Sequence, residues 1–322
     1  MVVRRILFFK IVLILVVTAG VAWWSQHQVA RLVEARELNR LEGHVARLAD
    51  RLETLVQRSD ADTVALAGSA EVISVARAPG DASIRDRAEA TFRAQLEAKP
   101  WILQLRVIEA SDQGRELVRL DRSGEEGSIR AVPEGGLQAK GERPYVRDGR
   151  ALAKGEVLRT ALELNEEFGQ VVDPPQPVIR SVAPVFDGSI MTGLVVINID
   201  MGRVFREATS LLEDSGRIFV LDGSGRTILD PVAGFYPGTD TSWIEGMNER
   251  ATGIIVDGTG ERVGVARTST TLAPNVVLLE TVPFAEMTAF SGAGWRAAAT
   301  AGVIVLVGSL FPFALLIRSI IR

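Results

Sequence analysis

Two long apolar runs bracket the chain. Between them hydrophobic positions recur first with a helical period and then in alternation. Residues 6–24 (ILFFKIVLILVVTAGVAWW) are apolar apart from Lys10, and about 20 such residues cross a bilayer as a helix. Lys10 lies near the start, where its stem reaches the interface, and Trp23 and Trp24 close the far end as an aromatic belt. Residues 297–317 (AAATAGVIVLVGSLFPFALLI) form the second run, with Pro312 placed to kink it. Arg4, Arg5 and Lys10 flank the first run, and Arg318 and Arg322 end the second. The positive-inside rule then places both termini in the cytoplasm and residues 25–295 outside. A cleaved leader is the competing reading of the first run, because Gly20 and Ala22 offer small residues there. The unbroken helical pattern beyond Trp23 favours an uncleaved anchor.

Leu38, Leu41, Val45, Leu48, Leu52 and Leu55 recur at spacings of 3, 4, 3, 4 and 3 residues, the pattern of a coiled-coil seam. They predict a long stalk helix, weakened by about 1 kcal/mol at Gly43. Such a stripe suits a second subunit or the helix's own domain, and the seam spacing favours a homodimer. Helix continues in pieces through residues 88–98 and stops at Pro100. Residues 101–109 (WILQLRVIE) and 115–121 (RELVRLD) read as a hairpin, and residues 177–187 and 191–200 as another. The Gly-, Glu- and Arg-rich residues 122–155 between them form a long excursion, the kind of segment in which binding residues collect. After a short helix at 202–212, strands follow at 217–221, 226–229, 253–256, 263–268 and 276–281. Gly223 and Gly225 are hairpin glycines between the first two. The predicted class is α+β, with antiparallel sheets in two modules. The boundaries are a tail (1–5), a first span (6–24), stalk and N-terminal helices (25–99), a membrane-distal module (100–203), a membrane-proximal module (204–290), a second span (297–317) and a cytoplasmic end (318–322).

Composition narrows the chemistry. There are no cysteines, so disulfides, thiol nucleophiles and Cys-ligated metals are excluded. Residues 25–295 carry 30 basic and 40 acidic side chains, a net charge of -10, which repels phosphate backbones and argues against nucleic acid as a partner. His27 and His44, the only histidines, both fall on the stalk, where a solvated helix face is expected of them. No HExxH, P-loop, nucleophile elbow or Rossmann glycine fingerprint occurs. The pairs Glu125–Glu126 and Glu166–Glu167 lie in polar runs and read as solvated faces. No catalytic residue, cofactor or metal is expected within this chain.

The arginines are the exception to a bland surface. Arg106 shares the face of Ile102 and Ile108, Arg119 lies within LVRLD and Arg180 within VIRSV; a buried guanidinium needs a partner. With Arg143 and Tyr145 from the excursion, they are candidates to line a pocket for a small anionic or carboxylate-bearing molecule. The competing reading pairs each arginine with Asp121, Asp173 or Glu109 as a structural ion pair.

The segments RELVRLDR (115–122), GLQAKGERPYVRDGRALAKGEVLRTALELNEEFG (136–169) and PPQPVIRSVAPVFDGSIMTGLVVINIDM (174–201) resemble the double Cache ectodomain. This is the PAS-like extracytoplasmic sensor of bacterial histidine kinases, diguanylate cyclases and chemoreceptors. The resemblance implies two PAS-like modules, a ligand pocket in the distal one, a homodimer, a periplasmic ectodomain and an inner-membrane location. It also implies an output module, most often a histidine kinase, after LIRSIIR. The amino-acid-binding signature of some double Cache sensors is not evident. An ectodomain that binds a periplasmic partner protein, with no small-molecule ligand, is the rival from another class.

Overall fold

The computed structural model describes residues 2–123, 127–210, 216–222, 226–230, 232, 234–235, 252–271 and 276–287. The second apolar run, Gly223, Gly225 and the pair Glu125–Glu126 lie outside the described residues.

Helix α1 (Val2–Ala67) runs unbroken for 66 residues from the first apolar run into the stalk, about 100 Å at 1.5 Å per residue. Along its N-terminal third Phe9, Leu13, Val16, Val17, Val21, Trp23 and Trp24 are exposed. Among the described residues no helix is long and apolar enough to cross a membrane; the side chains of residues 2–8, 10, 11, 14, 15 and 26 lie outside that set. Two shorter helices follow, each opened by a side-chain cap. Ser69 caps α2 (Ala70–Arg77) and Asp81 caps α3 (Ala82–Ala98), Asp81 accepting from Ser83 N at 2.9 Å. Helix α3 stops before Pro100, and the Arg122 guanidinium donates to the Leu96 and Lys99 carbonyls at its C-terminal end.

The first sheet is antiparallel throughout. Its order is β3 (Ser128–Ala131), β2 (Glu116–Ser123), β1 (Ile102–Glu109), β9 (Ile190–Asp200), β8 (Pro177–Asp187) and β4 (Leu158–Arg159), and β5 (Glu163–Leu164) also pairs with β8. One face of this sheet packs on α1, α2 and α3 through Leu105, Val107, Val118, Leu120, Ile179, Val195 and Ile197. Helix α5 (Met201–Ser210) leads on to the second sheet. Its order is β12 (Gly234–Phe235), β11 (Thr227–Asp230), β10 (Arg217–Leu221), β15 (Val277–Pro283), β14 (Arg262–Ser269) and β13 (Thr252–Val256).

Helix α1 touches both sheets, and one continuous core runs from Leu41 to Met287. This corrects the seam reading of the stalk. Leu41, Val45, Leu48 and Leu52 are between 0% and 6% exposed within a single chain, so the stripe is consumed by the chain's own sheets. The physical reason is that a helix lying on a sheet needs the same narrow apolar stripe as a coiled coil. His44 departs from the expected solvated face as well. It is half-buried, with Nδ1 3.7 Å from the buried Glu280 carboxylate, whereas His27 is exposed and stacks on Trp23.

Candidate functional site

The other face of the first sheet is the unusual one. Period-2 alternation puts Gln104, Arg106 and Ile108 of β1 on it. The register Arg106↔Arg119 and Arg106↔Val196 adds Arg119 and Val196, and Gln104↔Asn198 with Arg180↔Asn198 adds Asn198 and Arg180. A bulge at Val107/Ile108 against β2 restores Glu116 to the same side. One end of this face is apolar, where Ile108, Val182, Leu194 and Val196 pack against Tyr145 and Val146 of α4 (Pro144–Gly149). The other end is a buried polar cluster.

Arg119 is the centre of that cluster. Its Nε and Nη2 donate to the two Asp121 carboxylate oxygens at 2.7 and 2.9 Å. Its Nη1 and Nη2 donate to Glu167 Oε2 and Oε1, both at 2.8 Å. This double bidentate arrangement is the geometry a planar guanidinium suits best. Glu167 lies on a small hairpin formed by β6 (Glu166–Glu167) and β7 (Gln170–Val171), and it also accepts from Gln104 Nε2 at 2.8 Å and Gln138 Nε2 at 2.7 Å. Arg106 donates from Nη1 to Glu116 Oε1 at 2.8 Å and from Nη2 to Gln104 Oε1. Asn198 Nδ2 donates to Gln104 Oε1 at 2.6 Å and to Asn165 Oδ1 at 3.3 Å. Arg180 pairs with Glu163 at 2.5 Å, and its guanidinium lies 5.2 Å from the centre of the Tyr145 ring.

Burial by itself would push the Glu167 carboxyl up, but the hydrogen bonds and charge of Arg119, with Arg106 and Gln104 behind them, outweigh it and hold the carboxyl down at about 2. Arg119 is raised: its carboxylate partners outweigh the effect of burial. Lys140, which donates to Gln138 Oε1 at 2.8 Å, is lowered by burial and by the charge of Arg106. Burial lowers Arg180 too. Two buried polar atoms, Arg106 Nε and Asn198 Oδ1, have no hydrogen-bond partner among the described residues, an unusual state for groups so deep. No group of three or more His, Asp or Glu side chains among the described residues is arranged to hold a metal.

Three of the five predicted residues, Arg106, Arg119 and Arg180, therefore share one sheet face, and a fourth, Tyr145, packs onto that face from α4. Arg143 does not join them. It stands partly exposed at the rim, immediately before Pro144, and pairs with Glu166 at 2.5 Å. The ion-pair alternative holds in kind, since every one of the arginines has a carboxylate. Asp121 is the only one of its three named partners to serve, because Glu109 instead accepts from Ser111 and from the Arg115 backbone. The reading of Glu166–Glu167 as a solvated face is corrected: Glu167 is drawn inward by Arg119, and Glu166 is held by Arg143. Gln104, Glu116 and Asn198 were missed, although Gln104 and Asn198 are polar residues flanked by apolar ones in their strands and Glu116 opens β2 beside Leu117 and Val118. Gln138 and Lys140 in the excursion, and Asn165 and Glu167 in the polar stretch after it, carried no such signal, since neither segment has a periodicity. A cleft of about 610 Å³ opens beside the cluster, lined by Gln138, Lys140, Arg143, Glu166 and Phe168 among others.

Comparison with known proteins agrees with the architecture. The family described as bacterial histidine kinase, sensor domain, matches residues 53–226. Among curated proteins none matches the chain. Among solved structures, the extracellular domain assigned to the histidine kinase vpHK1S-Z8 aligns with a TM-score of 0.63 at 15% identity, covering 81% of this chain and 95% of its own. A domain of a sensory box/GGDEF family protein from Vibrio parahaemolyticus aligns with a TM-score of 0.64 at 17% identity, covering 80% and 99%. The ligand-binding domain of the Campylobacter jejuni chemoreceptor Tlp3, in complex with L-norvaline, aligns with a TM-score of 0.56 at 9% identity, covering 79% and 94%. These likenesses establish the fold, which is that of the Cache-like extracellular sensors.

Proposed function

The chain belongs to the family of bacterial histidine kinase sensor domains, and on that premise we propose that it is the ligand-sensing and transmembrane signalling region of an inner-membrane receptor. The first sheet, in a distal module over residues 100–203, binds a small anionic or carboxylate-bearing molecule through Arg106, Arg119 and Arg180, with Tyr145 behind them and Arg143 at the rim. The second sheet, in a proximal module over residues 204–290, links it to the membrane. Residues 6–24 and 297–317 span the bilayer, the ectodomain faces the periplasm, and the output is a histidine kinase. The exposed apolar side chains from Phe9 to Trp24 support the first span, because such a surface is stable in lipid and costly in water. A homodimer would pair outside the buried stripe, where Val29 and Leu32 are 49% and 69% exposed.

The observation that carries this reading is the burial of Arg106, Arg119 and Arg180 on one sheet face beneath the excursion. Buried ion pairs rarely repay their desolvation, so a cluster of them points to a use beyond stability. The test is thermal shift of the full chain in detergent micelles against a panel of small metabolites. A ligand whose shift disappears with Arg119→Ala and Arg180→Ala supports the site, and one whose shift survives both substitutions refutes it. A second reading, docking of a periplasmic partner protein, draws on the carboxylate already paired with each arginine. It predicts no response to the panel and co-purification of a partner.

A further inference from the structure

The Glu167 carboxylate accepts from Arg119 Nη1 and Nη2, Gln104 Nε2 and Gln138 Nε2 at 2.7 to 2.8 Å. Four convergent donors form a complete receptor for one carboxylate. What delivers this carboxylate is weakly built. The β6–β7 hairpin has two residues per strand and pairs with neither large sheet, and a lone two-stranded hairpin is marginal in water. Its tip is Phe168, 77% exposed with φ of 52°, followed by Gly169 with φ of 79°. Its base is fixed by the backbone bonds Asn165 N to Gln176 O at 2.7 Å and Val172 N to Asn165 O at 3.0 Å. Beyond that base, contacts through side chains hold it down: Glu167 in the cluster, Glu166 on Arg143, and Phe168 N donating to Gln138 Oε1 at 3.1 Å. The cleft of about 610 Å³ runs along this hairpin; its lining holds Lys140 and Arg143 together with the carboxylates of Asp112, Glu142 and Glu166, and it gives a small molecule room beside the seat that Glu167 fills.

We propose that the hairpin is a built-in competitor: Glu167 occupies the seat of a ligand's carboxylate, and binding exchanges one carboxylate for the other and frees the hairpin. This rests on the reading of the polar face as a ligand site and names its substrate class. Charge selects that class. Replacing Glu167 by a monoanionic carboxylate leaves the buried charge balance unchanged, whereas a neutral ligand would strip Arg119 of one of its two hydrogen-bonded carboxylates, leaving Asp121 and the more distant Glu116 at 3.6 Å, and a dianion would overfill the seat. The freed hairpin is also the moving part that sensing requires, since a ligand shifts a conformational balance only by its unequal affinity for the two states.

Chemical rescue tests this without a known ligand. The full chain in detergent micelles, bearing Glu167→Ala, is melted in acetate and in chloride at matched ionic strength. The variant should melt below the parent. Acetate at tenfold its Kd should restore Tm by about 3–6 °C, and the doubly substituted Arg119→Ala/Glu167→Ala chain should not respond. A variant that ignores acetate, or answers chloride equally, overturns the inference. If Glu167→Ala does not fold, Glu167→Gln keeps the shape and removes the charge. It should bind acetate at least about tenfold tighter than the parent, and equal affinity overturns the inference. The two readings fail separately. Acetate rescue without any metabolite response supports the seat and removes the sensing role; a metabolite response lost with Arg180→Ala but no acetate rescue keeps sensing and removes the competitor.

Discussion

Arg119→Ala removes the centre of the buried cluster. The Arg119 side chain is 5% exposed and satisfies Asp121 and Glu167, which are 16% and 19% exposed, so solvent screens these pairs little. Glu116 keeps Arg106 as its partner at 2.8 Å, but Asp121 and Glu167 are left as poorly compensated charges. Breaking a buried pair from one side costs about 3–5 kcal/mol, which for an ectodomain of this size lowers Tm by about 6–20 °C. With Arg119 gone, burial pushes the Glu167 carboxyl up above its unfolded value, so it recovers by taking up a proton and the variant regains stability as pH falls from about 7 to about 5. The parent does not regain stability in this way. The assay is tryptophan-fluorescence melting of the full chain in detergent across that range, with Glu167→Ala and the double variant completing a cycle whose coupling isolates the Arg119–Glu167 pair. A loss below about 1 kcal/mol, or a penalty independent of pH, would refute the view that this cluster is desolvated and mutually dependent.

Glu167 itself predicts an acid slope in the parent. Its folded value near 2 lies below the ordinary 4.5, so its contribution, at most about 3 kcal/mol, is fully present above 4.5 and disappears as pH falls through 2; Glu167→Gln should flatten that part of a pH-dependent melting curve. Gly141→Ala should be among the most damaging small substitutions, because a Cβ there would lie 1.9 Å from the Asp112 carbonyl oxygen. The expected loss is about 2 kcal/mol or more, read as Tm, and a neutral result would show that the 112–114 turn yields freely. Because the chain has no cysteines, oxidative crosslinking is clean: Leu41→Cys and Leu48→Cys, buried at 0% and 6%, should not link two subunits, whereas Leu32→Cys should.

Much of the architecture is already written in local pattern. The apolar stripe of the stalk, the strand runs of 177–187 and 191–200, with successive side chains alternating between faces, and the stop at Pro100 are properties of short segments, and α1, β8 (Pro177–Asp187) and β9 (Ile190–Asp200) fall on them. The placement of Arg106, Arg119 and Arg180 on one face follows from the same alternation once the strands are paired. What a stripe or a charge meets is a different matter. Leu41, Val45, Leu48 and Leu52 carry the same information whether a second helix or a sheet lies opposite, and only the tertiary fold set the chain's own two sheets there. Glu167 stands beside Glu166 in a run that looks solvated, and nothing local distinguishes the two. It turns inward because a guanidinium 48 residues earlier in the chain needs a second carboxylate, and burial makes that distant demand stronger than the local preference for water.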